Sequence, residues 1–291
     1  MSNSLIEIRN LSVTFPSEAG TVQAVRDISL DIRAGEVLGI VGESGSGKTV
    51  TSLAAIGLLP DSATISGSVM FNGVNLLSLN DEQMSKHRGN EIAMIFQDPL
   101  SALNPVHTIG RQIAEALLIH KDVSTEAAHK RAIELLEIVG IPRPAERAQS
   151  YPHEFSGGMR QRVMIALAIA NEPKVLLADE PTTALDVTVQ AQILDVLKTA
   201  RDMTGAAIVL VTHDLGVVAG IADRVAIMYA GKVVEVGPVD EIYAQPAMPY
   251  TIGLLRSIPR LDAVSGERLT SIAGAPASPV NLPNGCAFAP R

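Results

Sequence analysis

The stretch Gly42-Glu-Ser-Gly-Ser-Gly-Lys-Thr49 narrows the folds open to this chain more than any other. It follows Val37-Leu-Gly-Ile-Val41, a continuously apolar run that reads as a strand buried on both faces. A helix-forming stretch comes after it, predicted from Gly47 to Leu58 and ending before Pro60. Strand, glycine-rich loop and helix in that order form a cradle for phosphate. Glycines let successive backbone N–H groups curl around an anion, and the helix N-terminus adds a favourable dipole. Lys48 reaches the β/γ oxygens and Thr49 offers its hydroxyl to Mg²⁺. The competing reading is a glycine-rich turn with a chance lysine, and the flanking strand and helix argue against it. Alone, the loop says only that the chain binds a nucleotide phosphate.

The rest of the chain alternates short strands with helices, the pattern of a mostly parallel sheet covered by helices. Ile6–Phe15 and Val22–Ile32 alternate with period two around the turn-like Pro16–Gly20 and predict an antiparallel sheet near the N-terminus. Val175–Ala178 and Ala207–Val211 read as further buried strands, and Val225–Tyr229 with Lys232–Val236 as a hairpin around Ala230-Gly231. Ser124 caps a predicted helix running to Gly140, and Asp186 another with an apolar stripe of Val189, Ile193, Val196, Leu197 and Ala200. Pro99 to Ser156 reads as almost purely helical. From Ala273 to Arg291 little periodicity is left, and an irregular tail is expected.

Three further segments carry chemistry. Val175-Leu-Leu-Ala-Asp179-Glu180 is an apolar strand ending in two carboxylates. Asp179 is placed to hold Mg²⁺, and Glu180 to polarise an attacking water as general base. A solvated strand end is the plain alternative, which the phosphate cradle disfavours. Phe155-Ser156-Gly157-Gly158-Met159 precedes a long apolar helix. Ser156 can cap that helix while Gly157 and Gly158 leave its amide end uncovered, giving an anion site without a lysine; an ordinary serine cap explains it equally well. His213 stands just past a buried strand, where a structural histidine would also be at home.

Phe155–Met159 resembles the signature of the ABC ATPases, and the other motifs follow in that family's order. Gln97 in Met94-Ile-Phe-Gln-Asp-Pro99 is similar to the Q-loop, Thr183-Ala-Leu-Asp186 to the D-loop and Val211-Thr-His213 to the switch region. Phe15 sits where the family places an aromatic against adenine, the alternative being a core phenylalanine. The resemblance covers about residues 5–240. Phe96–Pro105, Pro181–Gln190, Pro249–Leu255 and the tail Asn281–Arg291 narrow it to the dipeptide/oligopeptide (and nickel) importer ATPases.

This resemblance implies an α/β fold: a P-loop NTPase core with a RecA-like parallel sheet, an N-terminal antiparallel β subdomain and an inserted helical subdomain at about 99–160. The ATPase domain is expected over 1–236 and a partly irregular C-terminal extension over 237–291. ATP and Mg²⁺ are the implied cofactors. The nucleotide is expected along Gly42, Glu43, Ser44, Gly45, Ser46, Gly47, Lys48, Thr49 and Val50, with Phe15, Gln97 and Asp179. Thr49, Gln97 and Asp179 are the expected metal ligands, and Glu180, His213, Gln97 and Lys48 the catalytic set. Ser156, Gly157, Gly158 and Asp186 are expected to complete the site of a second ATPase subunit, a copy or a paralogue, arranged head to tail. Two integral membrane permeases and, indirectly, an extracytoplasmic solute-binding protein are the other implied partners, and the location is peripheral, at the cytoplasmic face of the inner membrane. Some relatives carry additional cysteines for an iron–sulfur cluster. Here Cys286 is the one cysteine, and a cluster needing about four ligands enters only if the chain continues beyond Arg291. Peptide uptake is the expected work, with nickel uptake the alternative.

Bulk properties agree. The net charge of −8 argues against a nucleic-acid binder, and 47% hydrophobic residues support a sizeable core. The longest apolar run, Val163–Ala170, falls short of the roughly 18–20 residues a spanning helix needs. Met1-Ser-Asn-Ser-Leu-Ile-Glu has no secretory pattern. A single cysteine permits no internal disulfide, as suits a cytosolic protein. Three rivals fit less well. A soluble ABC ATPase of DNA or ribosomes usually has two cores or coiled-coil insertions. A GTPase would carry Asn-Lys-x-Asp. A non-catalytic assembly subunit leaves Glu180 and His213 unexplained.

Overall fold

A computed structural model describes residues 4–258 and 272–291. Met1-Ser-Asn and part of the extension expected over 237–291 lie outside the described residues. The strands, in chain order, are β1 (Ser4–Ser17), β2 (Gly20–Arg33), β3 (Val37–Val41), β4 (Thr64–Phe71), β5 (Val74–Asn75), β6 (Ile92–Ile95), β7 (Val175–Asp179), β8 (Ala207–Thr212), β9 (Arg224–Tyr229) and β10 (Lys232–Pro238). Two compact units result, one from the chain up to Leu79 together with the chain from Leu210 on, the other from Asn80 to Val209.

In the first unit β2, β1, β4 and β5 form an antiparallel sheet in that order. Its buried face is Ile6, Ile8, Leu11 and Val13 of β1 with Val25, Ile28, Leu30 and Ile32 of β2. The period-two alternation slips by one residue between Ile8 and Leu11, and again between Val25 and Ile28. Asn10 (φ 50°) and Asp27 (φ 51°) take left-handed conformations at these slips, and the pairing register shifts beside Asn10. Asn10 Nδ2 donates to Asp27 Oδ1 at 2.8 Å, tying the two irregularities together. The bulge restores the inward phase of the apolar residues. Gly67 of β4 accommodates it, since a Cβ there would lie 2.5 Å from the Asn10 carbonyl oxygen.

The same unit holds β3, all five residues of which are buried. It pairs in parallel with β9, which turns through Ala230 (φ 47°) and Gly231 (φ 78°) into antiparallel β10. The helix after the phosphate loop runs from Lys48 to Ala55, shorter than predicted. Gly57 (φ 61°) ends it, with Gly57 N–H bonded to Ala54 O and Leu58 N–H to Leu53 O, the paired bonds of a Schellman motif.

In the second unit β6 and β7 pair in parallel from Ile92↔Val175 to Ile95↔Ala178. From Pro99 to Ser156 the described backbone is helix and turn, as the sequence predicts. Helix Ile109–His120 packs on Thr125–Ile138, and Gly157–Ala168 packs against both. Ser124 Oγ accepts from Ala127 N–H at 3.2 Å and caps the second of these. Asp186 caps helix Val187–Thr204, whose fully buried residues are Ile193, Leu197 and Ala200. Among the described residues no helix is long and apolar enough to cross a membrane.

Candidate functional site

Strand β3 delivers the chain into the phosphate loop, where two of the glycines are sterically required. A Cβ at Gly42 would sit 2.1 Å from Met228 O, and one at Gly47 (φ 100°) would sit 2.4 Å from Ala24 O. Gly45 (φ 77°) has nothing within 4 Å of its missing Cβ, so that side of the loop is open. Gly47 is also the N-cap of helix Lys48–Ala55 and brings no side chain to cover the first-turn amides. Lys48 is 5% exposed, its Nζ donating to Gly42 O at 2.8 Å and to Glu43 O at 3.1 Å. The Ser46 hydroxyl is buried without a hydrogen-bond partner, an unused polar group facing no competing ligand within the protein. A glycine N-cap, a lysine folded over the loop and an orphan serine hydroxyl suit a polyphosphate.

Phe15 lies near the end of β1, opposite Val22, and is half-buried, which leaves part of its ring accessible. His213 is exposed just after β8. The turn that carries it is fixed by Asp214, whose N–H donates to Thr212 Oγ1 at 3.0 Å and whose Oδ1 accepts from Gly216 N–H at 2.7 Å.

In the second unit β7 ends in Asp179, 3% exposed. Glu180 follows at φ 46°, left-handed and half-buried. A non-glycine residue held there costs on the order of 1 kcal/mol, and such strain gathers at functional sites. Its Oε2 accepts from Gln97 Nε2 at 3.1 Å and from Thr183 Oγ1 at 2.8 Å, so two donors from different loops aim the carboxylate. Thr49 in the first unit and Gln97 and Asp179 in the second each carry a hard oxygen donor of the kind Mg²⁺ accepts. Among the described residues no three His, Cys, Asp or Glu side chains gather as a metal cluster, and Cys286 is exposed.

Ser156 caps helix Gly157–Ala168, its Oγ accepting from Met159 N–H at 3.4 Å, and both Ser156 and Gly157 are exposed. Gly158 packs closely on the next helix: a Cβ there would meet Val189 Cγ1 at 2.6 Å, so a larger residue would have to displace that side chain. Asp186 is exposed and serves as a cap, accepting from Val189 N–H at 3.0 Å. Gln97, Gly157, Arg160, Thr183 and Leu185 share the lining of one cavity of about 400 Å³. The structure thus gathers Gln97, Glu180, the glycine helix start and the loop before Asp186 in the second unit. Phe15, the phosphate loop and His213 belong to the first.

Three residues near these groups escape the motif reading. Thr183 is seen in the sequence as part of a D-loop pattern, with no hint that its hydroxyl grips Glu180. Tyr250, fully buried, accepts from Glu43 N–H at 2.9 Å, and burial pushes its hydroxyl pKa well above the ordinary tyrosine range. Arg291 pairs with the Glu43 carboxylate at 2.8 Å. The last two contacts span more than 200 residues and have no local signal.

The ABC transporter family model matches residues 25–183, and the model for the oligopeptide/dipeptide transporter C-terminal region matches 234–291. The oligopeptide transport ATP-binding protein OppD of Mycobacterium tuberculosis is 57% identical over 99% of this chain. The chain spans about half of that longer relative, 47% of its length. OppD of Bacillus subtilis is 53% identical over 99% of this chain and 81% of its own length. Among solved structures, the dimeric ATP-binding cassette MJ0796, in a post-hydrolysis state bound to ADP and Pi, superposes with a TM-score of 0.72. It is 30% identical, over 80% of this chain and 98% of its own. From the core motifs through the C-terminal region, this chain belongs to the ABC transporter family, in its oligopeptide/dipeptide branch.

Proposed function

We propose that this chain binds and hydrolyses ATP to power the uptake of dipeptides and oligopeptides through a membrane transporter. The observation that carries the catalytic part is Glu180, a carboxylate at a strand end in a strained turn, aimed by Gln97 and Thr183. The peptide part is supported by the similarity to peptide-transport ATP-binding proteins along nearly the whole chain, C-terminal region included.

In this reading the loop from Gly42 to Val50 binds the triphosphate through its amides and Lys48, and Phe15 stacks on the base. Thr49, Gln97 and Asp179 would hold Mg²⁺, which supplies charge neutralisation on the phosphates. Glu180 orients and deprotonates water, and His213 holds the terminal phosphate and that water in line. Ser156, Gly157, Gly158 and Asp186 serve a second ATPase chain, with the exposed serine–glycine helix start covering that chain's nucleotide. The catalytic domain occupies 1–236 with its helical part at about 99–160, and 237–291 is an extension. Two permeases anchor the pair at the cytoplasmic face of the inner membrane, and a solute-binding protein delivers the peptide.

The test is uptake of a labelled tripeptide by cells whose own copy is deleted and replaced by this gene or by Lys48→Ala. Uptake is expected with the wild type and lost with Lys48→Ala, whose ATP affinity by calorimetry should fall by about 10²-fold. Peptide uptake unaffected by Lys48→Ala would overturn the reading.

A further inference from the structure

Glu43, the second residue of the phosphate loop, is held from three sides. Its carbonyl accepts from Lys48 Nζ within the loop. Its N–H donates to Tyr250 Oη, on helix Pro249–Arg256. Its carboxylate takes a forked contact from Arg291, with Nη1 to Oε2 at 2.8 Å and Nη2 to Oε1 at 3.3 Å. Two of these three partners belong to the C-terminal extension, in the segments Pro249–Leu255 and Asn281–Arg291, which the catalytic reading leaves without a role.

The tail is built to present Arg291. Its Nε donates to Ala273 O at 2.9 Å, and the guanidinium stands 5.9 Å from the Tyr229 ring centre and 6.0 Å from that of Phe288. Tyr229, Tyr250 and Phe288 pack together, with centroids 4.6 to 5.4 Å apart. Pro279 O accepts from Gln23 N–H at 3.0 Å, and Ala277 N–H donates to Tyr229 Oη at 3.2 Å. Residues Pro276–Pro279 face Glu43–Ser46 across a cavity of about 210 Å³. The Arg291 side chain is 6% exposed and that of Glu43 27% exposed, so the pair is largely shielded from solvent.

A carboxylate on a loop that must receive a triphosphate opposes the field of the loop's amides and helix start. We propose that Arg291 is a positioning residue of the ATP site: by pairing with Glu43 it cancels that charge and fixes the loop, making the C-terminal extension a working wall of the phosphate site. The inference rests on the nucleotide reading above. It assigns the extension a task within its own chain, independent of any partner.

The test measures MgATP affinity by calorimetry in the full chain, at low and high salt, with thermal melting alongside. Arg291→Ala is expected to bind about tenfold more weakly, because it strands the Glu43 charge, and the loss should shrink as salt screens it. Arg291→Lys keeps the charge without the fork and should lose about threefold. In Arg291→Ala/Glu43→Gln the opposing charge is gone, and affinity should return to within about threefold of wild type. Should the alanine variant fail to fold, Arg291→Lys alone and combined with Glu43→Gln carries the same comparison. Wild-type affinity in the single Arg291 variants overturns the proposal. So does a double variant as weak as the single one, which would mark a purely structural contact. A wild-type chain that binds no MgATP would instead remove the nucleotide assignment, and this inference with it.

Discussion

Glu180 illustrates how single residues gain their chemistry here. Its place after an apolar strand is readable in the sequence; its left-handed backbone and its two hydrogen-bond donors are not. Gln97 and Thr183 both donate to the same carboxylate oxygen, Oε2, which fixes the side chain from two loops. Glu180→Gln keeps the shape and removes the basicity. It should lower steady ATP turnover by about 10²–10⁴-fold while leaving ATP affinity near wild type. Thr183→Val removes one donor and should lower kcat by about tenfold with KM little changed, because it loosens the carboxylate and leaves the phosphate loop intact. Steady-state kinetics on both variants check this, and wild-type turnover in Glu180→Gln would take the base role from Glu180. Gly42, Gly47 and Gly158 belong to the same scale: at each, a neighbouring atom already occupies the space a Cβ would need.

Elements were legible where local chemistry is strong. The β3–loop–helix unit, both caps at Ser124 and Asp186, and the hairpin around Ala230-Gly231 stand where pattern and turn residues put them. Helix ends were overrun at Leu58 and Gly140, because the left-handed Gly57 and Gly140 close their helices with carbonyls several residues back. Strands β4 and β6 carry weak signals. The first, Thr-Ile-Ser-Gly-Ser-Val-Met-Phe, is polar over its first half and pairs with β1 for its place, and the second is four residues long. Packing between elements yields a test at Gly39 of β3, where a Cβ would lie 2.7 Å from Val218 Cγ1. Gly39→Ala should destabilise by about 1–3 kcal/mol through overpacking, and adding Val218→Ala should recover part of the loss. Thermal midpoints of the two single variants and the double variant measure the coupling; additive losses would count against that contact.

For the molecule as a whole, the functional reading requires two chains. A helix start with an exposed serine and glycine, carrying its own cap, has backbone amides to offer and no metal ligand, so it can finish a phosphate site and not build one. Adding ATP to Glu180→Gln should convert a monomer to a dimer by light scattering, and Ser156→Arg in the same background should prevent it. A monomer at saturating ATP in Glu180→Gln would refute the shared site. By itself the sequence determined the kind of protein, because its motifs are local: phosphate binding needs glycines, a lysine and a helix start within eight consecutive positions, and the apolar runs that support them are continuous. The tertiary structure decided what depends on long-range contact: the bulge at Asn10 that keeps β1 in phase, the Thr183 grip on Glu180, and the return of Tyr250 and Arg291 to Glu43. An irregular tail has no period to read, and a hydrogen bond between residues more than 200 positions apart leaves no trace in the residues between them.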